Sequence, residues 1–300
     1  MTAARPPSRR RSTLARACAV VLEYGGTQNR GSEHMTRRTV ARRLRILTSL
    51  VGLLVGTAAS AADVHVMISA GFFQAYSELV PAFEKKSGHR VVTTRGPSLG
   101  DSPEAIPTRL KQREPADVVI GVGASIDELG RQGLVRGDSK VDLARSEIGM
   151  VVRAGAPKPD IGTVDALRKV LLDARSIAYS DSASGIYLST VLFARLGVAD
   201  QVAGKSRKVR GPPSGEQVAA VVARGDAEIG FQQVSELIHV PGTTFVAPIP
   251  RELQQETFYS AALATAVTQA EAAQALIRFL SSPEAAPAIV KAGLAPMAAR

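Results

Sequence analysis

The 300-residue chain is poor in the side chains that usually announce enzyme chemistry. It has one cysteine, Cys18, and four histidines. Past residue 61 no cysteine remains, which excludes a structural disulfide, a cysteine nucleophile and a thiolate metal site there. It also leaves no thiol for a lipid anchor behind a cleaved leader. His65, His89 and His239 stand far apart and in no ligand spacing, so no metal is expected. A G-x-S-x-G elbow is missing, since Ser184-Gly185 lacks the first glycine. Gly121-Val-Gly123 lacks the third glycine of a dinucleotide fingerprint and reads as a turn after a strand. No nucleophilic triad and no cofactor are expected.

Lysine is absent from residues 1–61, yet that segment holds eleven arginines against two acids, +9 of the net +10. Residues 62–300 carry 26 basic and 25 acidic side chains. The basic excess therefore belongs to a front segment with the pattern of a secretion signal. From Met35, the arginine-rich TRRTVARRLR precedes the apolar run Ile46–Gly56, and small residues end in Ala59-Ser60-Ala61. That apolar run is too short to remain as a membrane span. The expectation is a start at Met35, cleavage after Ala61, and an exported, near-neutral, monomeric protein. Nucleic acid is not an expected partner, because the charge that would hold it is removed.

Over 62–300, strand-length apolar runs alternate with helical patterns. Val64–Ile68 precedes a helix whose Phe72, Tyr76, Leu79, Val80 and Phe83 share a face, ended by Gly88. Further strand-like runs are Arg90–Thr94, Asp117–Gly121, Ile148–Val152, Ser176–Tyr179, Ala227–Phe231 and Thr244–Ala247. Repeated strand–helix units imply an α/β fold of mainly parallel sheets flanked by helices. The length past residue 61 suggests two lobes.

Small hydrogen-bonding residues recur directly after the strands: Ser69-Ala70-Gly71, Gly96–Gly100 with Ser98, Ser182–Gly185 with Ser184, Ser214-Gly215, and Gln232-Gln233. Each loop alone reads as a helix cap or a turn. Together they sit where open α/β sheets bind ligands, beyond the carboxyl ends of the strands. The stretch SDSASGIYLST (180–190) is therefore read as a cleft wall whose helix N-terminus favours an anion.

Val66-Met-Ile-Ser-Ala-Gly-Phe72, Phe83-Glu-Lys-Lys-Ser-Gly88, Pro115-Ala-Asp-Val118, Gly185-Ile-Tyr187 and Arg224-Gly-Asp-Ala-Glu-Ile-Gly230 resemble, in order, motifs of type 2 periplasmic solute-binding proteins of the molybdate-binding branch. The resemblance implies two lobes, 62–145 with 250–300 and 146–249, with the ligand in the cleft between them and the membrane subunits of an ABC importer as partners. It implies ligand contacts at Gly71, Ser98, Ser184, Gly215 and Gln233. Gly71 and Gln233 stand where that branch has hydroxyl side chains, so poor binding of molybdate is expected. Ser69, Ser182 and Tyr187 complete the candidate wall.

The segment Asp101–Leu110 enlarges one loop and adds Glu104 and Arg109; a planar guanidinium suits a carboxylate. The pattern GPSLGDSPEAIP, PADVVI, YSDSASGIY and EIGFQQVSEL is similar to a smaller exported subgroup that includes aconitate isomerase. That resemblance implies a tricarboxylate ligand and a 1,3-proton shift. The reading taken is a receptor that captures a small anion, oxyanion or polycarboxylate, for an ABC-type importer; the alternative is an isomerase on the same fold. The isomerase needs a titratable group in the cleft, for which Asp181, Glu104 and Tyr187 are candidates.

Overall fold

The computed structural model describes residues 61–297. The signal sequence, the start at Met35 and the cleavage expectation fall on residues outside that range, apart from Ala61 itself.

The first lobe opens with β1 (Asp63–Ile68), α1 (Ala70–Ser87) and β2 (Arg90–Arg95). In α1, Phe72, Ala75, Tyr76, Leu79 and Phe83 bury one stripe against the sheet. Gly88, at φ 74°, closes the helix by donating its N–H to the Glu84 carbonyl, a left-handed cap that glycine adopts without strain. Then follow α2 (Ile106–Lys111), β3 (Val118–Val122), α3 (Gly123–Arg131) and β4 (Val141–Ser146).

The second lobe runs through β5 (Ile148–Arg153), α4 (Val164–Asp173), β6 (Ile177–Ser180) and α5 (Ala183–Tyr187), the last continuing through a π turn at Leu188–Leu192. It is completed by β7 (Ser206–Val209), α6 (Val218–Arg224), β8 (Ile229–Gln233), α7 (Val234–Leu237) and β9 (Thr243–Pro248). The chain then returns to the first sheet with β10 (Thr257–Leu263), α8 (Ala270–Leu280) and β11 (Ala295–Pro296).

The sheets have the orders β11-β4-β10-β3-β1-β2 and β7-β6-β8-β5-β9. Each is mixed, where mainly parallel sheets were expected. β1 lies parallel to β2 and β3, and β6 parallel to β7 and β8, as strand–helix–strand units require. β10 and β5, the strands at the crossings between the sheets, run antiparallel to their neighbours.

Both faces of each sheet are covered. Val64, Val66 and Ile68 enter one apolar cluster and Met67 another; Ile148, Met150 and Val152 enter a third and Val151 a fourth. That is why these strands read as unbroken apolar runs. The two crossings are clamped together by Gln254. Its Oε1 accepts from the Ile148 amide at 2.9 Å, and its Nε2 donates to the carbonyls of Ile148 (2.8 Å) and Ile249 (3.2 Å).

Asp117, the acid of the PADV stretch, is a framework residue. Its carboxylate accepts from the amides of His65 (2.9 Å), Thr268 (2.7 Å) and Gln269 (3.1 Å), tying β1 to the start of α8. Burial pushes its carboxyl up, but these amides and the Thr268 hydroxyl more than offset that and hold it below the usual carboxylate range. Asp117→Ala is expected to cost about 2–3 kcal/mol, since it removes a buried carboxylate that three backbone amides share. Urea unfolding checks this, and a midpoint equal to that of the unaltered protein would refute it.

Candidate functional site

Between the lobes lies a cavity of about 240 Å³, walled by the loops that leave the carboxyl ends of the strands. The first lobe contributes Ser69–Gly71 after β1, Gly96–Ser102 after β2, Val122 at the end of β3, and Tyr259 of β10. The second lobe contributes Ser180–Ser184 after β6, Arg210–Pro212 after β7, and Gln232, Gln233 and Glu236 from β8 and α7.

Seven sequence-derived candidates line this cavity: Ser69, Gly71, Ser98, Asp181, Ser182, Ser184 and Gln233. The serines before the two helices do not cap them. Ser69 and Ser182 occupy the N-cap positions of α1 and α5 and make no side-chain cap bond. The Ser69 hydroxyl is buried with no partner among the described residues. Ser180 Oγ instead links the hydroxyls of Ser182 (2.8 Å) and Ser184 (3.1 Å). First-turn amides of a helix have no intrahelical acceptor, and neither serine side chain satisfies those of α1 or α5. Gln233 bonds Thr257 Oγ1 through Nε2 at 2.9 Å, and its Oε1 is buried without a partner among the described residues. Ser98 accepts from the Val122 amide at 3.2 Å, which fixes the β2 loop against β3. Asp181 accepts from the Gly211 amide at 3.1 Å and thereby holds the β7 loop.

Four candidates sit elsewhere. The Arg109 guanidinium is turned away, donating to Glu114 Oε2 at 2.6 Å and to the Glu104 carbonyl at 3.1 Å. Gly215 packs against its own loop; a Cβ there would stand 2.0 Å from the Arg210 carbonyl oxygen. Tyr187 borders an adjoining, wider cavity of about 760 Å³, which shares Leu99, Val122, Ala183 and Ser184 with the first, and it donates its hydroxyl to the Leu253 carbonyl at 2.8 Å. Glu104 reaches across the cleft from the first lobe, meeting Arg210 Nη2 at 3.0 Å and Ser214 Oγ at 3.3 Å.

Three wall residues had no sequence signal singled out for them. Arg210 is the cationic side chain on the cavity wall. Tyr259 explains the bare Gly71: a Cβ at 71 would lie 1.7 Å from the tyrosine hydroxyl oxygen. A hydroxyl is thus present in the place where residue 71 offers none, delivered from β10. Glu236 is almost wholly buried in α7, with Oε2 accepting from Gln232 Nε2 at 2.7 Å. Burial pushes its carboxyl up to about 7, against the pull of Arg95 and the Gln232 bond and with a further push from Asp181. Burial also raises the Tyr259 phenol well above its ordinary value, with Glu236 adding to the shift, so Tyr259 stays protonated. Among the described residues, no three His, Cys, Asp or Glu side chains gather to hold a metal.

Residues 64–295 match the family described as bacterial extracellular solute-binding protein. Aconitate isomerase of a Pseudomonas species is 47 % identical over 235 residues, 78 % of this chain and 88 % of the relative. Molybdate-binding protein ModA of Azotobacter vinelandii is 28 % identical over 244 residues, 80 % and 93 % of the two chains. The solved periplasmic molybdate-binding protein of Azotobacter vinelandii superposes with a TM-score of 0.62 at 21 % identity, covering 79 % of this chain and all of that one. The sulfate-binding protein SubI of Mycobacterium tuberculosis H37Rv gives 0.64 at 20 % identity, covering 79 % of this chain and 87 % of that one. At such identities the structures speak for the fold. The chain belongs to the bacterial extracellular solute-binding proteins and has the two-lobed type 2 periplasmic fold of their molybdate-binding branch.

Proposed function

We propose that this periplasmic protein binds a small polycarboxylate between its lobes and isomerises an unsaturated tricarboxylate of the aconitate type. The binding reading is carried by the wall itself. Arg210, the first-turn amides of α1 and α5, which no N-cap side chain satisfies, and the Ser69 hydroxyl, without a partner among the described residues, belong to the wall of one cavity. Its volume is a little below that of drug-sized pockets, roughly 300–1,000 Å³, which suits a small organic anion. The isomerase reading is favoured by the 47 % identical aconitate isomerase. In such a shift a base removes a carbon-bound proton, and amides and hydroxyls stabilise the charge that develops. A second reading, a receptor delivering the same anion to an ABC importer, is favoured by the family and by the contact of Glu104 with Arg210 across the cleft, which suits closure on a ligand.

Proton NMR of the protein with cis-aconitate and, separately, with trans-aconitate separates the readings. Approach to one common mixture from both sides is expected. Binding without turnover would leave the receptor, and no binding of either isomer would end the polycarboxylate reading. Arg210→Gln is expected to lower tricarboxylate affinity more than tenfold in calorimetry, because it removes a charged, planar partner for a carboxylate. Glu104→Gln breaks the same ion pair but keeps the cation, and affinity is expected to hold or rise. A drop of equal size in both variants would show that the ion pair, not the cation, matters.

A further inference from the structure

We propose that Glu236 carries the proton of the isomerisation, and that the Tyr259 hydroxyl, beside the start of α1, faces the substrate oxygen on which negative charge gathers. This rests on the isomerase reading above. The two groups reach the cavity from opposite lobes, Glu236 on α7 and Tyr259 on β10. A contact between the lobes aligns them: Ser235 Oγ donates to the Gly71 carbonyl at 2.8 Å, pinning the start of α7 to the start of α1. Gly71, in turn, leaves the space that the Tyr259 hydroxyl fills. Gln232 holds Oε2 of Glu236, and Oε1 makes no hydrogen bond among the described residues. One oxygen is therefore anchored and the other is left for a substrate.

The charged and titratable groups facing Glu236 are Arg95 from β2, Asp181 from the β6 loop and Tyr259 from β10, with the Gln232 amide from β8. A carboxylate poised near neutrality between these groups both takes and returns a proton, which a solvent-exposed glutamate does poorly. An anion receptor gains nothing from it, since an ionised carboxylate on the wall repels the ligand.

The step balances without a metal, oxidant or reductant. The Glu236 carboxylate takes a proton from the methylene carbon, and that C–H bond breaks. Its electron pair enters the allylic system, the double bond migrates, and negative charge spreads onto the conjugated carboxylate near Tyr259 and the α1 amides. The Glu236 carboxylic acid then returns a proton to the former vinylic carbon, forming a new C–H bond. Product and substrate have the same formula.

The test follows aconitate in D2O by NMR, with the unaltered protein and with Glu236→Gln, which keeps size and the capacity to bond Gln232. Isomerisation and deuterium uptake are expected in the unaltered protein. In E236Q, kcat should fall about 10²–10⁴-fold while trans-aconitate still raises Tm. In the unaltered protein kcat/KM should fall as pH drops through about 7, where the base becomes protonated. Tyr259→Phe should lower kcat at least tenfold with little change in KM.

E236Q turning over within threefold of the unaltered protein overturns the Glu236 assignment and leaves the isomerase reading standing. Binding without turnover in the unaltered protein overturns both. Should E236Q fail to fold, the pH profile decides: a kcat/KM flat from pH 5.5 to 8.5 overturns the assignment, and a limb near 7 that Glu236→Asp shifts supports it. A Tyr259→Phe variant with unchanged kcat removes the tyrosine from the proposal.

Discussion

Gly185→Ala is expected to cost about 3 kcal/mol of stability and to abolish anion binding. A Cβ at this position would stand 1.6 Å from the Ser180 carbonyl oxygen and 2.6 Å from its carbonyl carbon. Both are backbone atoms of β6, so no rotamer change relieves the clash. The start of α5 must instead move off the strand by well over an ångström. That displacement separates Ser182 and Ser184 from the Ser180 hydroxyl and swings the first-turn amides out of the cavity wall. Overpacking of this kind usually costs about 1–3 kcal/mol, and a clash with backbone belongs at the upper end. In a domain of this size that is a fall of roughly 6–12 °C in Tm. Gly204→Ala serves as the control, because nothing lies within 4 Å of a Cβ there. A Gly185→Ala protein that melts within about 2 °C of the unaltered one and binds aconitate equally well would show that α5 is not held to β6 by this contact.

The same glycine shows what a sequence can and cannot tell. Small residues directly after apolar runs mark strand-to-helix turns, and in a two-lobed α/β fold those turns share one cleft. Ser69, Gly71, Ser98, Ser182, Ser184 and Gln233 were legible for that reason. The direction of a long side chain was not. Arg109 sits on a short helix near the cleft, but Glu114 draws its guanidinium aside, and the lining cation is Arg210. Arg210 follows β7, whose Ser-Arg-Lys-Val is a polar edge strand with no apolar periodicity to reveal it. Tyr259 was hidden similarly. β10 reads Thr-Phe-Tyr-Ser-Ala-Ala-Leu, central in its sheet and covered on both faces, so its small residues show no alternation. Glu236 stood in plain view in QQVSEL. What makes it unusual is burial among groups far from it in sequence, from Arg95 and the Gly71 contact of its neighbour Ser235 to Asp181 and Tyr259.

Glu236→Gln is expected to stabilise the ligand-free protein above pH 7 and to leave it unchanged near pH 4. The folded-state carboxyl titrates at about 7, against 4.5 for the free side chain. Its folded value is raised, so the stability it contributes is complete below the unfolded value and is lost as pH rises through the folded one. Above about pH 7 the loss is on the order of 3 kcal/mol, taking about 1.4 kcal/mol for each unit between the two values. Glutamine has no proton to lose and keeps a polar end for Gln232. The variant's advantage should therefore be absent at pH 4, grow from about pH 4.5 to 7, and stay constant above. Urea unfolding across that range measures it directly. An advantage equal at all pH values would point to a packing effect, and none at pH 8 would mean that the ionised carboxylate is well solvated in the open cleft. A carboxylate kept at such a cost in the unliganded protein is a group retained for what it does to the ligand.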